Sequence, residues 1–374
     1  MKHLLFAFFV LVPFICSAQI YRHIGTQNGL GDHKIYRVLK DSLGYMWFLT
    51  NEGIDRYNGK FVKHYRLMDG TTAINPRMNL NWLYLDNKHI LWVIGRKGRI
   101  FRYDKMHDCF VKEYSFPKLA GDTPTDIISY GHMDRNNFIW LCDNDCITIF
   151  NPSIGQTVQV IPNKYGTINA IEQADSTNYF LGTEEGLYCI SMKEGVLLPQ
   201  SCKRIEPVNA RISELFYHSA SHKLFIGTFH KGVYVYNLSN PSDIRCDNIS
   251  GSASITRITD FSDEEVLVAT NCKGVFKMGV DSCKMESYIT ANYESYNELN
   301  VNNINDIFVD DGKCIWLVNY PGGITIRDNR YTDYRWIKHS IGNPQSLINN
   351  QVNDIIEDSD GDLWFGTNNG VSLY

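Results

Sequence analysis

Six residues recur at one position of a repeating unit and carry side chains that can do chemistry together: Arg37, Trp82, Tyr130, Glu214, Arg257 and Asp306. Arginines and carboxylates form bidentate hydrogen bonds to neighbouring hydroxyls, and aromatic rings stack on the apolar face of a sugar. Asp354 falls at the same position of a final copy of the unit. This combination at one mouth would suit recognition of an oligosaccharide. The plain alternative is that these side chains pair with one another and with channel water.

No motif for covalent chemistry accompanies them. The chain has no G-x-S-x-G elbow, no H-E-x-x-H, no phosphate-cradling glycine loop and no paired C-x-x-C. Cys142 and Cys146, with His132 upstream, have a spacing that fits no usual structural metal site. Asp358, Asp360 and Asp362 imitate the start of a calcium loop but lack its ninth and twelfth ligands, so they read as turn residues. We therefore expect a binding protein rather than an enzyme, with no cofactor and no metal.

The elements that must position these side chains follow from internal self-similarity. Residues Ile35 to Tyr57 and Val352 to Tyr374 share one pattern, with weaker copies between. The eight centres are Trp47, Trp92, Trp140, Phe180, Phe225, Leu267, Trp316 and Trp364, spaced 40 to 49 residues apart. A period in that range marks a propeller. Each unit reads as three strands and a looser fourth, with an acidic turn such as Asp41-Ser-Leu-Gly44 after the first strand. A threonine often ends the second strand, and a glycine closes the turn that follows. Aspartate caps such turns and glycine supplies positive φ. Helical periodicity is absent. One such sheet is apolar on both faces and needs a neighbour on each side.

The expectation is an all-β propeller of four-stranded blades whose innermost strands carry the six residues into a central channel. Tyr21 to Ile24 resembles the fourth-strand segments Phe61 to Tyr65 and Tyr331 to Ile337, and such an N-terminal strand commonly closes a propeller. We expect seven blades over residues 19–337 and, at 338–374, an incomplete eighth repeat that opens a second propeller. An eight-bladed ring completed by Tyr21 to Ile24 is the alternative.

The repeat, from Asn28-Gly-Leu30 through Asp-x-x-Gly, aromatic-Trp-aromatic, Thr-x-x-Gly and a final Tyr, resembles the two-component regulator propeller repeat. The resemblance covers roughly residues 20–374, closely in the first and eighth units and loosely in the third, fourth and sixth. It implies the periplasmic sensor of a hybrid two-component system. In that family two seven-bladed propellers precede an immunoglobulin-like domain, a membrane span, a kinase, a receiver and a DNA-binding domain, and oligosaccharides are the usual signals. No second complete propeller, membrane helix or kinase lies in these residues. The resemblance thus implies a first sensor propeller, attached to a membrane only through missing C-terminal parts. A stand-alone exported scaffold, possible as a homodimer, is the alternative.

Composition agrees with an exported binding domain. Lys2 and His3, an apolar run to Ile15 and the small residues Ser17-Ala18 read as a signal peptide over 1–18. The net charge of -5 gives no nucleic-acid footprint. Ten cysteines fall to nine once Cys16 leaves with the signal peptide, an odd number in no disulfide framework, so mostly buried free thiols are expected.

Overall fold

The computed structural model of the protein describes residues 20–69, 72–73, 80–116, 128–291, 299–329, 337–339 and 344–374. The segment 1–18, read from the sequence as a signal peptide, and the segment 331–336 lie outside them. The chain divides into two compact units, one of Tyr21–Arg327 and a second that includes Asp328–Tyr374.

The described structure is all-β, with one 3-10 turn at Thr26–Asn28. Seven four-stranded antiparallel sheets follow one another, and six of them take their strands in simple chain order. The seventh takes Ile304–Val309, Ile315–Asn319 and Gly323–Asp328, and its fourth strand is Ile20–Ile24 from the other end of the chain. Inner strands lie side by side in sequence order, and the last of them, Ile304–Val309, lies against the first, Ile35–Lys40. These sheets are the blades of a propeller.

Two sets of interactions join blade to blade. Apolar side chains from facing sheets interlock: Trp47, Leu49 and Ile54 meet Leu83, Val93 and Phe101, and Ile35 and Phe48 meet Trp316, Val318 and Ile324. Nearer the axis, a short polar side chain donates to the carbonyl that begins the next inner strand. Ser213 Oγ reaches Ile255 O at 2.6 Å, Thr256 Oγ1 reaches Ile304 O at 2.7 Å and Asn305 Nδ2 reaches Ile35 O at 3.1 Å. The last of these joins the seventh sheet to the first.

Within a blade the acidic turn does more than cap itself. Asp41 Oδ1 accepts from the backbone of Leu43 and Tyr45, while Oδ2 accepts from the Trp47 indole at 2.7 Å. The same indole bond joins Asp86 to Trp92, Asp134 to Trp140, Asp310 to Trp316 and Asp358 to Trp364. Where the centre is Phe180 or Leu267, which have no N–H to satisfy, the aspartate is gone and Ala174 or Phe261 begins the turn. At the far end of the second strand, threonine hydroxyls clamp the next turn, as with Thr228 Oγ1 on Gly232 O at 2.8 Å. Gly232 has φ 70, and an added Cβ would lie 2.2 Å from Asp247 O, so no other residue fits.

The nine described cysteines are all free thiols. Cys142, Cys146, Cys283 and Cys314 are buried, whereas Cys109, Cys246 and Cys272 are exposed. The second unit holds a three-stranded sheet of Val352–Glu357, Leu363–Thr367 and Gly370–Leu373. It repeats the inner three strands of a blade, but Ile355, Ile356, Val371 and Leu373 are exposed.

The buried Asp134 also accepts from Tyr179 Oη of the next blade at 3.1 Å. Asp134→Ala strands that hydroxyl, the Trp140 indole and two backbone N–H groups. It is expected to destabilise the protein by about 3 kcal/mol, seen as a lower urea midpoint; a change below ~1 kcal/mol would show that the turn does not hold the blade.

Candidate functional site

The inner strands aim the candidate residues by a shared irregularity. Six of the seven carry a bulge just before the position in question: between Ile35 and Arg37, Leu80 and Trp82, Ile168 and Ala170, Ile212 and Glu214, Ile255 and Arg257, and Ile304 and Asp306. A bulge turns the following side chain. The resulting layer lies toward the turns between second and third strands, since Arg37 pairs with Leu49. Two residues on, strand alternation brings a second layer to the same inner face, including Tyr84, His132 and Glu172. Together these layers line a cavity of about 300 Å³.

Five of the six expected residues line it: Arg37, Tyr130, Glu214, Arg257 and Asp306. Trp82 does not. Its ring is 5 % exposed and lies among Trp92, Ile94 and Ile128 between two blades. There it covers Gly131, whose hypothetical Cβ would sit 2.9 Å from the indole. The indole fills the gap that the glycine leaves, and its apolar contacts hold it between the blades. Asp354 belongs to the separate three-stranded sheet and is exposed. The fourth blade offers only Ala170 at this position, and its small size opens room beside Tyr130 and Glu214. Tyr84, His132 and Glu172 were not anticipated, although the two-residue alternation of the same strands pointed at them.

The cavity has an aromatic side and a charged side. Tyr84, Tyr130 and His132 come from neighbouring blades, with Tyr130 and His132 stacked at 6.4 Å and Tyr84 edge-on to His132 at 5.7 Å. Opposite runs a chain of alternating charge. Arg257 Nη1 donates to Glu214 Oε1 at 2.8 Å, and Arg257 Nε lies 3.4 Å from Asp306 Oδ1. Arg37 Nη1 lies 3.5 Å from that same oxygen. Asp306 Oδ2 accepts the backbone N–H of Val38 at 2.9 Å, which ties the seventh blade to the first.

Burial sets the protonation states. It lowers His132 to about 3, with Arg37 and Arg257 adding to the effect, so the imidazole is neutral. Burial raises Glu172 to about 7 against the pull of Arg135, whose guanidinium lies 3.0 Å away. Glu214 is raised by burial too, with Arg257 and Arg37 opposing. Arg37 loses from burial but gains more from Asp306 and Glu214, and stays above its ordinary value. Burial pushes Tyr84 up to about 12. The site thus offers donors, aromatic surface and a few committed acceptors. It has no nucleophile paired with a base. Among the described residues no group of three His, Cys, Asp or Glu side chains is placed to hold a metal.

A carboxyl raised on folding binds a proton more tightly in the native state, so stability falls as pH rises from the unfolded value to the folded one. Glu172→Gln is expected to flatten the fall in melting temperature between about pH 5 and pH 7 and to stabilise the protein by up to ~3 kcal/mol at pH 8. An unchanged pH profile would place the titration elsewhere.

Residues 346–369 match the family model described as the two-component regulator propeller. No curated protein matches the chain in sequence. Among solved structures, the chain is similar to the extracellular domain assigned to the hybrid two-component system BT3049 of B. thetaiotaomicron. That match has 19% identity and TM-score 0.69, over 96% of this chain and 53% of that one. The extracellular domain assigned to the hybrid two-component system BT4673 of the same organism gives 16% identity and TM-score 0.63, over 96% and 52%. Virginiamycin B lyase from Staphylococcus aureus gives 14% identity and TM-score 0.63, over 83% and 99%. At these identities the likeness is one of fold, and the chain spans about half the length of the two sensor domains. No helix among the described residues is long and apolar enough to cross a membrane. On the match at 346–369, in the unit whose pattern recurs from residue 35 onward, this chain carries the repeat of the two-component regulator propeller family.

Proposed function

We propose that this chain is the ligand-sensing propeller of a two-component receptor exported to the periplasm, and that it binds an oligosaccharide in the channel cavity. One observation carries the reading: an aromatic side of Tyr84, Tyr130 and His132 faces a charged side of Arg37, Arg257, Glu214 and Asp306 across about 300 Å³. Sugars need that pairing, because a pyranose ring presents C–H faces to aromatic groups and hydroxyl edges to charged ones. The likeness to extracellular domains of hybrid two-component systems supports a sensory role.

The charge chain is part of how such a site would work. Half-buried arginines and buried carboxylates held in register by neighbouring blades keep their geometry before a ligand arrives, which limits the entropy lost on binding. Kinase output lies outside these residues. We read Met1 to Ala18 as the export signal, 19–337 as a seven-bladed propeller and 338–374 as the opening of a second one. The exposed Ile355, Ile356, Val371 and Leu373 support that last assignment, since the corresponding sheets of the first unit bury theirs.

Binding of the purified chain to an immobilised panel of neutral and acidic oligosaccharides tests the reading. At least one sugar is expected to bind saturably. Tyr130→Ala and Arg257→Ala should each weaken it roughly tenfold or more, as expected for lost stacking or a lost charge-assisted bond. Full affinity in both variants would remove the channel from consideration.

A further inference from the structure

Among the described residues, the channel arginines hold a buried donor that no protein acceptor engages. A guanidinium carries five N–H donors in a fixed fork and no acceptor. Arg37 and Arg257 converge on the one atom Asp306 Oδ1, at 3.5 and 3.4 Å. Neither approach satisfies it: Asp306 Oδ1 and Arg257 Nε are both buried without a hydrogen bond. Among the described residues the Asp306 ion pair is the polar contact of the Arg37 guanidinium, which is itself mostly buried. Buried donors left this way are costly, and they accumulate where a ligand completes them.

The neighbouring carboxylates are already partly committed. Asp306 Oδ2 is taken by Val38 N–H, Glu214 by Arg257 and Glu172 by Arg135. The Tyr84 hydroxyl already donates to Gly131 O at 2.9 Å. Charge points the same way. Arg37, Arg257 and Arg135 face Asp306, Glu214 and Glu172, but burial holds Glu172 near 7, so the channel carries less negative charge at neutral pH than its residues suggest. Lys40, at its edge, is already bonded to Asp311 at 2.8 Å.

We infer that the channel takes a sugar that bears a carboxylate, a hexuronate at the end of an oligosaccharide. Its carboxylate is received by Arg37 and Arg257 and its ring lies against Tyr84 and Tyr130. The inference rests on the oligosaccharide reading above and narrows it to an acidic class. A carboxylate accepts from both forks at once through charge-assisted bonds, which a hydroxyl does not. The cavity volume, at the lower end for ligand pockets, suits a terminal unit rather than the middle of a chain. One carboxylate seated on two arginines also accords with a protein whose net charge is -5 and which offers no broad basic field.

The test is calorimetric titration with two matched probes, tri-galacturonate and maltotriose, backed by a wider panel of uronate and neutral oligosaccharides. Acidic sugars are expected to bind, with neutral ones roughly tenfold weaker or worse; Arg37→Gln should weaken the acidic sugar roughly ten- to a hundredfold. Equal binding of neutral sugars, untouched by Arg37→Gln, would overturn the acidic class and leave the oligosaccharide reading standing. Binding of no sugar in the panel would overturn both.

Should Arg37→Gln fail to fold, the wild-type protein still decides. Its affinity for the acidic sugar is expected to fall several-fold from about pH 6 to about pH 8, as Glu172 loses its proton and repels the ligand. His132, held low, and the raised Tyr84 and Tyr130 keep their charge over that range. The wild-type preference for tri-galacturonate over maltotriose decides alongside it, and equal affinity for the two probes would overturn the inference.

Discussion

Each four-stranded sheet here is apolar on both faces, and only a neighbouring sheet on either side keeps those faces from water. Trp47 and Trp140, for example, are fully buried although each lies in a sheet no thicker than one strand layer. A linear stack would leave two open ends. Closing the stack removes them, and three contacts between the chain's extremes do so: strand Ile20–Ile24 on Gly323–Asp328, Asn305 on Ile35, and Asp306 on Val38. In the three-stranded sheet of the second unit, Ile355, Ile356 and Leu373 lie in solvent.

Closure also explains why the channel is chemically loaded. Seven inner strands converging on an axis bring side chains from residues more than two hundred positions apart within hydrogen-bonding range. There is no room at the axis for seven large apolar groups, and any charge placed there is largely removed from water. Such charges survive only when partnered. The chain Arg37–Asp306–Arg257–Glu214 is therefore both a structural solution and an incomplete one, because Arg257 Nε and Asp306 Oδ1 lie buried in it without a hydrogen bond. Structure and binding draw on the same residues. Trp82 marks the limit of the pattern: it occupies the same repeat position but finds more apolar contact between the blades than at the axis.

The aspartate–tryptophan bond is the local counterpart of closure. It lets a polar indole N–H lie in an otherwise apolar interface without an unmet donor. The repeat obeys this as a pair: Asp41, Asp86, Asp134 and Asp310 each hold a tryptophan, whereas Ala174 and Phe261 accompany Phe180 and Leu267. What reads as degeneration of the motif in the middle blades is a consistent exchange of one satisfied core for another.

The sequence by itself determined the all-β class, the period, the turn chemistry and the inner position of the candidate residues, because these depend on contacts within about forty residues and recur in every unit. The two-residue alternation also held enough information to name Tyr84, His132 and Glu172, had it been followed one step further along each strand. The tertiary structure alone decided which inner side chains reach the cavity, that Trp82 turns away over Gly131, and that Arg37 and Arg257 share one oxygen of Asp306. The protonation of Glu172 and His132 belongs with these, since burial sets it. The reason is physical: periodic patterns encode a sheet, whereas the occupancy of an axis depends on seven side chains competing for one volume, and no local stretch of the chain contains that competition.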